Sequence, residues 1–430
     1  MEIQDRLAER AKDKQPSPIR ELAKYLKVDG MISLGGGYPN PETFVFDRLK
    51  FHFKDGNEIE ITGEELTAAS QYGPSDAQPG LKSELLKWHQ YKDGVRLNDD
   101  QLVVLNGSQE GLFIMAYLFA DRGDKIIISE PSYPGTLSAF RSFNPDFIPI
   151  PLDANGLRTD LIEEKLENIE LTGEALPKII YTNPNGHNPG GVTLAEHRRK
   201  HLIEIANRWD LIVLEDDPYE LLELDNKPKP PTVQSMDTEG RVVRLDSFSK
   251  IFAPGLRIGY VSGPAEIIRQ FVIFKQSANL HTSSFIQTVL CRYLQNAGFD
   301  GFLKMIQTNC EIYRKNRDAM VAAAQKYLPE QVKYNIPGAG MFIWFELPPF
   351  CDARRMIDRR AEALKVLLVP GSAFSATGRL NNFMRASFSM VTPSQIEEGM
   401  KRFAQMIENE ISLQQKTDHS VIRSNSKRSV

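Results

Sequence analysis

The chain has 430 residues, 41% of them apolar and 25% charged, with a formal net charge of −4. That composition suits a globular protein with room for at least two domains. The charge supplies no field for nucleic acid, no apolar run approaches the ~20 residues of a membrane span, and three scattered cysteines exclude a disulfide framework or a compact zinc site.

In chain order, Met1 to about Lys14 predicts a short amphipathic helix, ended by Pro16 and Pro18. The opening MEIQDRLAERAKDKQ mixes acids and bases without an apolar core, so neither a secretory leader nor a transit peptide is expected. The closing KRSV is not a peroxisomal tripeptide. A cytoplasmic protein is the default. Residues Met31 to Pro41 read as a strand end running into a glycine and proline turn.

From about Asp100, short runs rich in β-formers alternate with helical stretches. Strands are expected at Leu102–Asn106, Lys125–Ser129, Phe147–Ile150, Lys178–Thr182, Leu211–Glu215, Arg241–Asp246 and Arg257–Ser262. Gly111–Phe119 reads as a helix, and another opens at Thr193 with Glu196 at capping-box spacing. Such alternation predicts a mostly parallel sheet covered on both faces.

Beyond Ala265 the pattern changes. Helices are expected at Pro264–Gln276, Ser283–Gln295 and Gly301–Tyr327, then strands at Met341–Leu347, Val366–Pro370 and Phe383–Phe388. A last helix starts at Thr392-Pro393, with Ile396, Met400, Phe403, Ile407 and Ile411 on one face. These read as a smaller α+β domain. Residues past Leu413 are polar and aperiodic, and are expected to be disordered.

The chemistry gathers in loops that follow strands. In Ser247-Phe-Ser249-Lys250-Ile-Phe-Ala-Pro-Gly-Leu-Arg257, two hydroxyls and a guanidinium can surround a phosphate, and the lysine can form an imine with an aldehyde. A phosphate-bearing aldehyde tethered by lysine describes pyridoxal 5'-phosphate. Asp216 and Tyr219, after Leu211–Glu215, can supply a carboxylate for a pyridine nitrogen and a phenol near a ring hydroxyl. Asn188 in Asn183-Pro-Asn-Gly-His-Asn188-Pro can donate to a phenolate oxygen. Ser108 at a helix start can cradle phosphate, and Tyr133 can stack on a heteroaromatic ring. Each loop alone is equally a plain turn or cap; their common position behind separate strands favours one cofactor.

With these motifs in hand, the chain resembles the fold-type-I, class-I pyridoxal-phosphate aminotransferases, in the kynurenine/2-aminoadipate and aromatic branch. The likeness runs from about Pro16 to Ile411 and rests on SFSKIFAPGLRIGY, EDDPY, NPNGHNP, GSQEG, EPSYPGT and MRASFS taken together. It implies a central sheet of the seven-stranded type, mostly parallel and helix-covered. The division implied is an arm over 1–47, a large domain over 48–299, a small domain over 300–412 and a tail over 413–430. Lys250 then carries the cofactor and moves the substrate's Cα proton. Asp216, Tyr219 and Asn188 surround the ring, Tyr133 stacks on it, and Ser108, Gln109, Ser247, Ser249 and Arg257 bind its phosphate. Arg385 matches the arginine that grips the substrate α-carboxylate. Tyr72 resembles a residue reaching the phosphate of a partner subunit, which implies a homodimer with shared sites. Arg20, Gly37 and Tyr38 (in the Gly35-Gly36-Gly37-Tyr38 turn) and Phe342 resemble substrate-side elements. Where the family commonly reads NPTG, this chain reads Asn188-Pro189-Gly190-Gly191. The expected reaction moves the amino group of an aromatic, kynurenine-type or 2-aminoadipate donor to a 2-oxo acid such as 2-oxoglutarate. The alternatives are a C–S lyase or decarboxylase on this fold, or an amino-acid-sensing regulator without catalysis.

Overall fold

The computed structural model describes residues 3–22, 25, 28–32, 34–35 and 37–426, with backbone alone for Glu21 and for 417–426. A hairpin of β1 (Arg48–His52) and β2 (Glu58–Thr62) precedes the main sheet. The main sheet contains β3 (Leu102–Leu105), β4 (Lys125–Glu130), β5 (Asp146–Asp153), β6 (Gly156–Leu157), β7 (Ile179–Thr182), β8 (Ile212–Asp216), β9 (Val242–Ser247) and β10 (Gly259–Ser262). Their order is β3-β10-β9-β8-β7-β4-β5-β6. The pairs among β5, β4, β7, β8 and β9 are parallel, while β10 runs antiparallel to both neighbours and β6 folds back on β5. The sheet is therefore mixed, with eight strands because the two-residue β6 joins the seven.

Residues of β3, β7, β8, β9 and β10 are buried along their whole length, as expected of Val/Ile/Leu runs covered on both faces. The pleat sorts them. Ile126 and Ile128 pack with Leu112, Met115 and Phe119 on one face, and Ile127 with Leu202, Ile205 and Trp209 on the other. Register then fixes the working edge. Gly259, the first residue of β10, pairs with Leu105 on one side and Ser247 on the other, so the carboxyl ends of β3 and β9 lie at one edge with β10 between them. Thr182 pairs with Glu215 and Asp216 with Leu245, which brings the ends of β7 and β8 to the same edge.

A second sheet holds β11 (Lys333–Tyr334), β12 (Phe342–Glu346), β13 (Val369–Pro370) and β14 (Phe383–Ser387), in the order β11-β12-β14-β13. Ile343, Phe345 and Met384 share a core with Met356, Phe403 and Ile407 from the helices behind it. Among the described residues, no helix is long and apolar enough to cross a membrane.

Several elements differ from expectation for local reasons. The first helix is split into Ile3–Arg6 and Glu9–Lys12, because the Ala8 amide donates to Leu118 O instead of continuing the turn. No strand occurs among the described residues of 31–41; Ser33 and Gly36 lie outside them. The helix expected from Thr193 begins at Glu196, and Thr193 Oγ1 accepts from the Gly186 amide, so the hydroxyl serves the preceding loop. By contrast, the two helices expected either side of residue 298 are both present: the helical span Ser284–Tyr327 is interrupted at Gly298, whose φ of 66° and ψ of 169° are non-helical. The last helix does not stop near Leu413 but continues to Ser426, through a stretch with neither proline nor glycine to end it. Residues 427–430 of the expected disordered tail lie outside the described ones.

Candidate active site

Loops after β3, β4, β7, β8 and β9 close around one cavity of about 320 Å³. Ser108, Gln109, Tyr133, Asn188, Asp216, Tyr219, Ser247, Ser249, Lys250, Arg257, Phe342 and Arg385 all line it. Every sequence-predicted site residue from these strand ends is there.

One end suits a phosphate. The helix Ser108–Phe119 starts after Gly107, which sits at φ +81° and offers no capping side chain, so Ser108 is the first helical residue and not the cap. The opening amides of such a helix are a natural anion seat. Arg257 lies beside them in the left-handed region (φ 52°), donating to Asn106 O at 3.2 Å, Pro254 O at 3.2 Å and Ser249 Oγ at 3.4 Å. A Cβ at position 107 would stand 2.6 Å from Arg257 Nη2, so the glycine is what lets the guanidinium approach. The Ser249 amide donates to Ser247 Oγ at 3.2 Å, which holds the two hydroxyls on one turn.

The other end suits a protonated pyridine. Asp216 is 3% exposed, and its Oδ2 accepts from Tyr181 Oη at 3.0 Å. Its Oδ1 is buried with no partner among the described residues. Burial, eased by the Tyr181 bond and Arg244, pushes this carboxyl up to about 7. A cationic ring nitrogen at Oδ1 would meet both needs, so the residues present fit the cofactor. Asn183 braces this end: its Nδ2 donates to Asp216 O at 2.6 Å, and its Oδ1 accepts from the Asn188 amide at 2.8 Å. Asn188 Nδ2 in turn reaches Tyr219 Oη at 3.4 Å. Burial raises the Tyr219 and Tyr133 phenols, so both stay protonated.

Lys250 is half-buried between the two ends. Burial first, then the charges of Arg257 and Arg385, holds its amine below the ordinary lysine range. Arg385 packs over Phe342 (4.2 Å from guanidinium carbon to centroid) and against Phe374 (4.9 Å). Its Nη1 donates to Asn188 Oδ1 at 2.7 Å, while its buried Nε has no partner. The departure at Gly190-Gly191 is accommodated without a hydroxyl. Gly191 adopts φ +68°, where an added Cβ would meet Phe342 O at 2.9 Å. His187 ties this loop down: its Nδ1 accepts from the Gly190 amide, so Nε2–H faces Ser129 Oγ at 3.0 Å, and burial lowers the ring to about 3.

Four expected residues do not line the cavity in this chain. Tyr72 is exposed, edge-on to Tyr38 (6.3 Å) and His281 (6.1 Å), and Arg20 Nη1 donates to Gly73 O at 2.8 Å. Gly37 is exposed on the same arm, and Gly36 lies outside the described residues. Sequence reasoning missed Asn183, Tyr181 and Phe374. Asn183 stands in a motif already singled out, whereas Tyr181 sits in a strand and reads as core.

Residues 47–403 match the family described as Aminotransferase class I and II. The aromatic-amino-acid aminotransferase 1 of Thermococcus litoralis is 38% identical over 94% of both chains. The mitochondrial kynurenine/alpha-aminoadipate aminotransferase of Mus musculus is 35% identical over 93% of this chain and 97% of its own. The crystal structure of Pyrococcus horikoshii kynurenine aminotransferase, in complex with PMP, superposes with a TM-score of 0.77 at 36% identity, covering 95% of this chain and 98% of that one. The chain thus belongs to the class I and II aminotransferases, pyridoxal-phosphate-dependent transaminases, in the branch of the aromatic and kynurenine/2-aminoadipate enzymes.

Proposed function

We propose that the enzyme transfers the α-amino group of an aromatic, kynurenine-type or 2-aminoadipate donor to a 2-oxo acid such as 2-oxoglutarate, with Lys250 as the proton-transferring amine. The observation that carries the assignment of roles is Asp216 Oδ1, a buried carboxylate oxygen without a partner among the described residues, in the cavity that a lysine of lowered basicity also lines. When bound, pyridoxal phosphate supplies an electron sink for the charge left at Cα. Asp216 holds a proton at the ring nitrogen, and Asn188 and Tyr219 donate toward the ring oxygen. The helix start at Ser108, with Gln109, Ser247, Ser249 and Arg257, holds the phosphate. Tyr133 packs on the ring.

Arg385 receives the α-carboxylate through its guanidinium fork, with Phe342 beneath it, and so sets which bond at Cα stands perpendicular to the ring. Lys250, less basic than a free lysine, takes the Cα proton and returns it one atom away. Lys250→Ala should lower transamination by on the order of 10⁴-fold or more, and borohydride reduction of the holoenzyme should label Lys250. Full activity in that variant, or a label elsewhere, ends this reading. A panel of aromatic, kynurenine-type and dicarboxylic donors against 2-oxoglutarate tests the substrate class.

The reading extends to a homodimer in which Tyr72 of one copy completes the phosphate site of the other, with Arg20, Gly37 and Tyr38 on the substrate side. Its support is the exposed apolar arm around Tyr72, including Ile32 (84% exposed), Leu34 (96%) and Val45 (86%). A monomer in sedimentation at micromolar concentration would remove it. The division into arm (1–47), large domain (48–299), small domain (300–412) and tail, and a cytoplasmic setting, belong to the same proposal.

A further inference from the structure

Outside the cavity, one carboxylate collects more bonds than a surface role needs. Glu130 ends β4, three residues before Tyr133. Its Oε1 accepts from Ser375 Oγ at 2.5 Å, Thr377 Oγ1 at 2.8 Å and the Thr377 amide at 3.3 Å, and its Oε2 from the Ala376 amide at 2.7 Å. Two further bonds join the same segments: the Ser132 amide to Phe374 O, and Arg141 Nη2 to Ser375 O, both at 2.8 Å. Ser375, 2% exposed, also accepts on Oγ from the amides of Thr377, Gly378 and Arg379, so the loop is tied internally as well as to Glu130.

The segment held this way carries Phe374, fully buried against Trp344 (5.4 Å) and 4.9 Å from the Arg385 guanidinium. Beside it the flank between the two sheets is open. A cavity of about 470 Å³ there is bordered by Glu130, Pro131, Trp344 and Phe383.

We propose that Glu130 is a positioning residue for the substrate carboxylate. By fixing the 374–377 segment it holds Phe374 against Arg385, and it couples the loop bearing the ring-stacking Tyr133 to the arginine that receives substrate. This rests on the assignment of Arg385 made above. A glutamine is the smallest break, because it offers one acceptor oxygen and turns its NH₂ toward a donor.

Glu130→Gln should raise KM for the amino acid about tenfold with kcat within about twofold and the bound cofactor's absorbance unchanged. Ser375→Ala, which removes one partner only, should shift KM the same way by less. In single turnover, the amine that lacks the α-carboxylate should react equally with wild type and Glu130→Gln. In a double-mutant cycle, Glu130→Gln should add little to the KM of Arg385→Lys. If Arg385→Lys raises KM while Glu130→Gln leaves it unchanged, or if the two effects multiply, the inference is overturned and the carboxylate assignment stands. If Arg385→Lys leaves KM unchanged, the assignment itself falls and the inference with it.

Discussion

Asp216, the last residue of β8, and Asp217 just after it are both buried, each with one oxygen lacking a partner among the described residues, yet they belong to different machinery. Asp216 borders the 320 Å³ cavity with Lys250 in its wall. Asp217 borders a space of about 20 Å³, room for no more than a water. Asp217 Oδ2 is taken by Asn185 Nδ2 at 2.6 Å and Arg244 Nη1 at 3.4 Å. The arginines divide the same way. Arg244, wholly buried, meets Glu215 at 2.9 Å, Glu220 at 2.6 Å and Asp246 at 3.0 Å besides Asp217, and Lys92 adds bridges to Asp93, Glu220 and Asp246. Among the described residues, Arg385 makes one side-chain bond, to Asn188, and its Nε has no partner. The two aspartates themselves are equally buried, each 3% exposed. What separates site from support is unused bonding capacity next to a space of ligand size.

The largest test of that contrast is a pair of isosteric changes. Asp216→Asn should lower kcat by roughly 10²- to 10⁴-fold, because a neutral amide cannot hold the ring nitrogen's proton. Asp217→Asn should leave kcat within a few-fold and cost about 1–3 kcal/mol in urea unfolding, since Arg244 retains three carboxylates. Equal losses of turnover in the two variants would erase the distinction.

The pH dependence of the cofactor-stripped protein sharpens it. An unfolded aspartate titrates near 4, whereas burial pushes Asp216 up to about 7. Between those values the folded chain keeps a proton that the unfolded chain releases. The group's contribution therefore favours folding least at high pH, and stability falls as pH rises from about 4 to about 7. Urea midpoints measured across that range should show a loss of a few kcal/mol in wild type relative to Asp216→Asn. Restoring the cofactor should flatten the difference, because a cationic ring nitrogen favours the carboxylate. Parallel curves for the two stripped proteins would mean that Asp216 is ionised without the ring.

The cofactor loops were readable in the sequence because each packs its chemistry into a few adjacent residues at a strand end. SFSK with Arg257 seven residues on, and Asp216 with Tyr219, need only local geometry to meet. The residues that aim them are not local. Glu130 finds Ser375 at a separation of 245 residues, and Arg244 looks like any strand arginine until Glu215, Asp217 and Glu220 fold around it. Arg385 came from resemblance alone for the same reason: its partners Asn188, Phe342 and Phe374 belong to three separate segments. The β1–β2 hairpin is a different case. Ile59 and Ile61 alternate with glutamates after an Asp55-Gly56 turn, and that signal was open to reading and passed over. The split of the first helix had no local signal, because a tertiary bond from Ala8 to Leu118 makes it.

The phosphate end offers a smaller break. Gly107→Ala forces a Cβ to within 2.6 Å of Arg257 Nη2 and strains a backbone at φ +81°. Arg257 must withdraw, so cofactor affinity should fall roughly tenfold or more by equilibrium dialysis. The same change at Gly399, where a Cβ meets nothing within 4 Å, should leave affinity alone. An unaltered dissociation constant in Gly107→Ala would separate Arg257 from the phosphate.

The smallest expected effect lies at Tyr181, which does not line the cavity but is bonded to Asp216, which does. Its hydroxyl donates to Oδ2 at 3.0 Å and so favours the charged carboxylate. In Tyr181→Phe the strand keeps its packing, but Asp216 loses that donor and is pushed further up. The acid limb of the kcat/KM profile should then move to higher pH by up to about one unit, with kcat on the plateau lowered only a few-fold. A purely structural tyrosine would lower thermal stability and leave the limb in place. The hydrogen bond to Asp216 is thus tested by where activity begins, not by how much of it remains.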